Sequence, residues 1–159
     1  MSATVDWSSG RVVRTEPARV IETLTDTEAC ARWSPVAFSL EDDGGRLQPG
    51  TTRRVSGRLL GAPVQFHLHT LAADATGLRL HARGPIDLHV HYALRPVACG
   101  CRMDAHISIQ PPRGRVGRLV AHAARTLLVA GTLDQTLQRI AHEAERSARR
   151  CEGRRRPGP

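Results

Sequence analysis

The chain has 159 residues, of which 40% are hydrophobic, enough for one domain with a substantial core. No run of about 18 apolar residues is present, so no membrane-spanning helix is expected, and the opening MSATVDWSSG lacks the basic-then-apolar order of a secretory signal. The formal charge of +8 invites a nucleic-acid reading, but two Trp, one Tyr and two Phe are too few for a base-stacking platform.

Residues 4–15 predict a first strand, interrupted by Ser8-Ser9-Gly10 as a bulge or bend. Glu16-Pro17 starts a helix, because proline suits the first helical position; Val20, Ile21 and Leu24 form its apolar face. Thr25-Asp26 breaks it and caps a second short helix, with Glu28 in the first turn and Cys30 and Trp33 facing inward. Ser34-Pro35 ends that helix. Val36–Leu40 predicts a short strand, followed by turns at 41–45 and 47–50. Strands are then expected at 51–60, 64–72, 78–83, 86–95 and 101–110, joined by Gly61-Ala62-Pro63, Asp74–Gly77, Gly84-Pro85 and Val97–Gly100. Connections this short make neighbouring strands antiparallel, so the sheet is a meander.

Alternation assigns the two faces. Val64, Phe66, Leu68, Leu78, Leu80, Ala82, Ile86, Leu88, Val90, Tyr92, Leu94, Met103, Ala105, Ile107 and Ile109 share the apolar face. The other face carries His67, His69, His81, His89, His91 and His106 among Arg and Asp residues. From about Arg115 to Arg150, apolar residues recur at three- and four-residue steps, predicting one helix about 50 Å long. Its stripe needs a long partner, and the sheet is the surface available. A curved sheet gripping this helix, with a cavity between them, is the expected architecture. Gly131 is a place for the helix to bend or approach the sheet. Residues 146–159 hold six Arg and one Glu, a net +5, against +3 for residues 1–145. The domain is therefore assigned to 1–145, and 146–159 is expected to be a disordered basic tail. No specific nucleic-acid partner is expected, only weak contact of the tail with anionic surfaces. The sequence carries no indication of oligomeric state.

Pro17-Ala-Arg-Val20, Leu24-Thr-Asp26, Trp33-Ser-Pro35 and Leu47-Gln-Pro-Gly50, followed by the meander and terminal helix, resemble the START/SRPBCC superfamily. The likeness is strongest to its polyketide cyclase/dehydrase-like bacterial members and covers about residues 4–145. It implies an α+β helix-grip fold: a seven-stranded antiparallel sheet wrapped around a long C-terminal helix, with two short helices after the first strand. It also implies binding of a hydrophobic small molecule such as a lipid or polyketide, without implying catalysis. Ile21 departs from the aromatic usual at that place, which implies more room near the two-helix plug.

Three functional readings are weighed on these residues. The favoured one is a non-catalytic binder or carrier, its pocket lined by Trp33, Phe38, Val55, Phe66, Leu68, Leu88, Val90, Tyr92, Ala123, Leu127 and Leu137. The alternative is a polyketide cyclase or dehydratase using Tyr92, the central polar group of the inward face; Thr70 and Arg53 share its parity nearer the strand ends. General acid–base chemistry needs a titratable group in the pocket, and the eight His lie outside that face or on the helix. The third reading is a cupin-like metal protein. Gly61 followed by His67-Leu-His69 resembles the opening of a cupin motif, but the expected Glu is missing and those histidines face outward. No metal and no cofactor are expected. Cys99-Gly-Cys101 is a weak soft-metal signal in a turn. With four scattered cysteines, reduced thiols and a cytoplasmic location are expected.

Overall fold

The computed structural model describes residues 4–34, 38–40, 45–59, 61–112 and 114–155. Its elements run β1 (Val5–Val13), α1 (Pro17–Thr25), α2 (Thr27–Trp33), β2 (Phe38–Leu40), β3 (Thr52–Leu59), β4 (Ala62–Asp74), β5 (Gly77–Arg83), β6 (Asp87–Val97), β7 (Gly100–Ile109), α3 (Gly114–Val129) and α4 (Thr132–Arg155). The strands form one seven-stranded sheet in the order β1-β7-β6-β5-β4-β3-β2. Every pairing is antiparallel. The α+β helix-grip expectation therefore holds.

The short helices form for the local reasons the sequence offers. Pro17 occupies the first turn of α1. Asp26 caps α2 by accepting from the Glu28 and Ala29 amides at 3.0 and 3.5 Å, which satisfies two otherwise orphaned donors. Pro35, the residues expected to open β2 (36–37) and most of the turn at 41–45 lie outside the described residues.

Three expectations need correction. The Ser8-Ser9-Gly10 stretch is no bulge: β1 pairs with β7 without a break from Val5↔Ile109 to Val13↔Cys101. Gly10 instead leaves room for the Arg102–Asp104 ion pair, whose atoms a β-carbon there would strike. The irregularity lies between Thr70 and Ala72 in β4, where Leu71 is turned out to solvent.

The second correction concerns the terminal helix, which is two helices. Gly131 adopts φ +86°, a conformation costly for any residue with a β-carbon. Its amide bonds the Leu128 carbonyl at 3.1 Å, and the Thr132 hydroxyl donates to the Leu127 carbonyl at 2.5 Å, so the end of α3 is capped. Periodicity is apolar on both sides of the break, which is why the segment resembles a single helix in sequence.

The third correction concerns the described part of the tail, residues 146–155; 156–159 lie outside the described residues. α4 continues to Arg155, ten residues beyond Glu145. Arginine and alanine are good helix formers, and extending an existing helix avoids the cost of nucleation.

α4 packs on α1, α2 and the β1–β7 edge, while α3 lies over β3. Polar ties hold α4 in place. The Arg14 amide donates to Glu145 at 3.0 Å, Arg32 pairs with Glu143 at 3.1 Å, and the Ser9 hydroxyl donates to Asp134. Two packed clusters result. The larger joins α1, α2 and α4 to the sheet through Val20, Leu24, Met103, Leu137, Ile140 and Ala144; the smaller joins α3 to Val64, Ile86 and Ile109. Ile107 and Leu128, both only partly buried, touch each cluster and mark the space between them.

Candidate functional site

That space is a cavity of about 320 Å³. Cross-strand register builds its floor: Val55↔Phe66 on β3 and β4, Leu88↔Ile109 and Val90↔Ile107 on β6 and β7. Ala124, Leu127 and Leu128 of α3 and Leu133 and Thr136 of α4 roof it, and Trp33 and Phe38 close one end. A second lobe of about 190 Å³ lies under α1 and α2, reaching Leu24, Cys30, Leu47, Leu68 and Leu80. The lobes share Trp33, Ser34, Phe38, Val55, Phe66 and Leu88. The larger lobe alone reaches the lower end of the size range of small-molecule sites.

The structure brings most of the sequence-predicted residues together. Trp33, Phe38, Val55, Phe66, Leu88, Val90, Tyr92 and Leu127 all line the larger lobe, and Leu68 lines the smaller. Ala123 and Leu137 are corrections. Ala123 is buried outside both linings, and Leu137 is fully buried in the larger packed cluster. The break at Gly131 resets the helical phase, so Ala124, Leu128, Thr132, Leu133 and Thr136 take their place. Parity along the strands already carried the signal for Val64, Ile107 and Ile109. Nothing in the sequence distinguished them, as lining residues, from other buried positions. Ile21 packs against the larger cluster and borders neither lobe, so the room expected there is filled.

The chemistry of the lining is nearly inert. Tyr92 is 5% exposed and meets Trp33 edge to face, with ring centroids 6.4 Å apart. Burial, and then the neighbouring Cys30, push its phenol well above its ordinary range. It therefore stays protonated and offers a hydrogen bond rather than a base. Burial likewise pushes the Cys30 thiol up to about 12; the thiol donates to the Leu24 carbonyl at 3.3 Å and is no nucleophile at neutral pH. The Trp33 indole N–H donates to the Thr23 carbonyl at 3.3 Å, leaving its ring to the cavity. The Thr136 hydroxyl donates to the Thr132 carbonyl at 2.7 Å. Thr70 is buried without lining either lobe. Arg53 also stays off the lining, reaching the Arg46 carbonyl at 3.3 Å.

Six of the eight histidines lie on the opposite side of the sheet. His69↔His81↔His89 form one cross-strand row and His91↔His106 another. His81 and His89 stack with centroids 4.2 Å apart and planes within 9°. His106 bonds Ser8 at 2.9 Å and Asp6 at 3.2 Å, and His69 bonds Thr52 at 2.7 Å. A single sheet with His67 and His69 facing away from the core has no cupin geometry. Among the described residues no three His, Cys, Asp or Glu side chains are grouped to hold a metal ion. Cys99 is exposed and Cys101 buried, so the two thiols of the turn do not share an environment.

The outer face has a pH dependence. Burial, with His89 next to it, lowers the His81 pKa below its ordinary value; Asp87 opposes this, while Arg83 and His69 add to it. Burial, then Arg79 and His106, lower that of His91. A histidine harder to protonate when folded binds fewer protons in the native than in the unfolded chain, so stability rises with pH. It is complete above about 6.5, the unfolded value, and declines as pH falls below it. Melting temperature is expected to fall between neutral and mildly acidic pH, and by less in His81→Gln.

A comparison with family profiles matches residues 4–145 to the family described as polyketide cyclase/dehydrase and lipid transport. A comparison with curated proteins found no match. Among solved structures, the chain is similar to the Zhui aromatase/cyclase of Streptomyces sp. R1128, with TM-score 0.72 and 12% identity over 91% of this chain and 96% of that one. It is also similar to TTHA0849 of Thermus thermophilus, with TM-score 0.68 and 14% identity over 90% and 99%. Protein CV1439 of Chromobacterium violaceum follows the same fold, with TM-score 0.66 and 18% identity over 88% and 97%. Identities this low speak for the fold alone. The profile match covers nearly the whole folded unit, and by it the chain belongs to the polyketide cyclase/dehydrase and lipid transport family.

Proposed function

We propose that the protein binds and carries a hydrophobic small molecule, lipid- or polyketide-like, in the cavity between the sheet and the two C-terminal helices. The observation that carries this reading is the lining: mostly aliphatic and aromatic side chains, with the Tyr92 phenol, the hydroxyls of Thr27, Ser34, Thr132 and Thr136 and the Cys30 thiol as its polar groups, and no carboxylate, histidine or arginine. A ligand there gains from apolar burial and from one phenolic hydrogen bond. The free thiols of Cys30, Cys99 and Cys101 fit a cytoplasmic setting.

The similarity to an aromatase/cyclase keeps a second reading in view, in which Tyr92 donates to a carbonyl during a cyclisation or dehydration. Such a step also needs a base to remove a proton, and the lining supplies none. Tyr92→Phe separates the two. As a carrier, the variant is expected to lose at most about tenfold in affinity, the worth of one neutral hydrogen bond. Fluorescent fatty-acid displacement measures this. Turnover of an aromatic polyketide by the wild type, abolished in Tyr92→Phe with binding intact, would favour the enzyme.

A further inference from the structure

We infer that α3 is a membrane-docking helix, which brings the cavity against an anionic lipid surface. Its inner face is the cavity roof and the small packed cluster: Val120 and Ala121 are buried, and Ala124, Leu127 and Leu128 line the larger lobe. Its outer face breaks the usual pattern of a surface helix. Val116, Leu119 and Val129 are 66%, 60% and 72% exposed, and half of the exposed large apolar side chains among the described residues belong to this one helix. Val116 and Leu119 are one turn apart and form a ridge.

The rest of the exposed face is basic. Arg115, Arg118, His122 and Arg125 are all exposed there, and α3 contains no acidic residue. Among the described residues, none of the three arginines makes an ion pair.

That combination selects the partner. A second copy of this chain, packing α3 on α3, would bring arginines against arginines. A nucleic acid would satisfy the arginines but leave the Val116–Leu119 ridge without a use. An anionic bilayer suits both: branched side chains enter the acyl boundary while arginines stay with the phosphates, their stems covering apolar surface. Among the described residues no helix is long and apolar enough to cross a membrane, so the contact is interfacial. Because the roof of the cavity is the other side of the same helix, docking places the cavity about one helix diameter, ~10 Å, from the headgroups. The purpose assigned to docking rests on the carrier reading; the docking itself does not.

Co-sedimentation of the full chain with vesicles tests it. The wild type is expected to bind vesicles of equimolar phosphatidylcholine and phosphatidylglycerol, weakly at high salt, and not to bind pure phosphatidylcholine. Removing the ridge in Val116→Ser/Leu119→Ser, or the charge in Arg115→Gln/Arg118→Gln/Arg125→Gln, is expected to lower vesicle affinity on the order of a hundredfold, about fivefold per arginine. Neither variant touches the cavity lining, so fluorescent fatty-acid binding in the absence of vesicles should match the wild type and also reports that the domain is folded. Arg146→Gln/Arg149→Gln/Arg150→Gln on α4 is the control, with a smaller loss expected. The inference fails if the α3 variants bind vesicles as the wild type does. It also fails if the α4 variant alone loses binding, if Leu119→Ser dissolves a dimer instead, or if the helix retains only nucleic acid. Loss of fatty-acid binding in the wild type, with docking intact, would contradict the carrier reading and leave this one standing.

Discussion

The Leu88→Trp protein is expected to fold normally and to lose apolar ligand completely. Leu88 sits on β6 between Ala82 and Ile109 and is one of the few residues bordering both lobes. An indole there projects into empty space, so overpacking, which costs about 1–3 kcal/mol in a filled core, should be largely absent. The same indole occupies the junction of the lobes and leaves no continuous volume for a chain or ring system. Fluorescent fatty-acid titration checks the loss, and a melting curve within a few degrees of wild type checks the fold.

Leu137→Ala is expected to do the opposite. Leu137 is fully buried on α4 among Leu24, Met103 and Ile140, away from both lobes. Deleting its isobutyl group removes transfer free energy and leaves a hole, together costing about 3 kcal/mol. For a domain of this size that corresponds to a melting temperature lower by roughly 10 °C. Ligand affinity in the folded fraction should change little. Urea denaturation measures the first effect and dye titration below the transition the second. Equal behaviour of the two leucine variants would mean that the cavity and the core are not distinct.

These two leucines also show where sequence stops being informative. Both are aliphatic, both point inward, and periodicity placed both in the pocket. Periodicity reports which side of an element is dry; it does not report whether the dry side meets another side chain or a void. The sheet was legible because its two faces differ completely, as His67-Leu68-His69 and His89-Val90-His91 show, and a one-residue slip would exchange them. The plug helices were legible from Pro17 and Asp26, residues whose local bonding fixes a helix start. The break at Gly131 was visible as a glycine but not as a boundary, because Leu127 and Leu133 continue the apolar stripe across it. Placing Ala123 and Leu137 on the pocket followed from extending one helical phase through that break. The exposure of Val116 and Leu119 was hidden for the same reason: they fit an apolar stripe that the folded α3 turns partly toward solvent.

Whether the cavity holds a hydrophobic small molecule is decided by native mass spectrometry of the untagged wild type and Leu88→Trp proteins, purified side by side and followed by organic extraction. The expected result is an apolar molecule bound to the wild type at up to one per chain, recovered in the extract and absent from Leu88→Trp. Ligand-free wild type that also fails to take up fluorescent fatty acid, or a molecule retained equally by both proteins, would contradict the carrier reading.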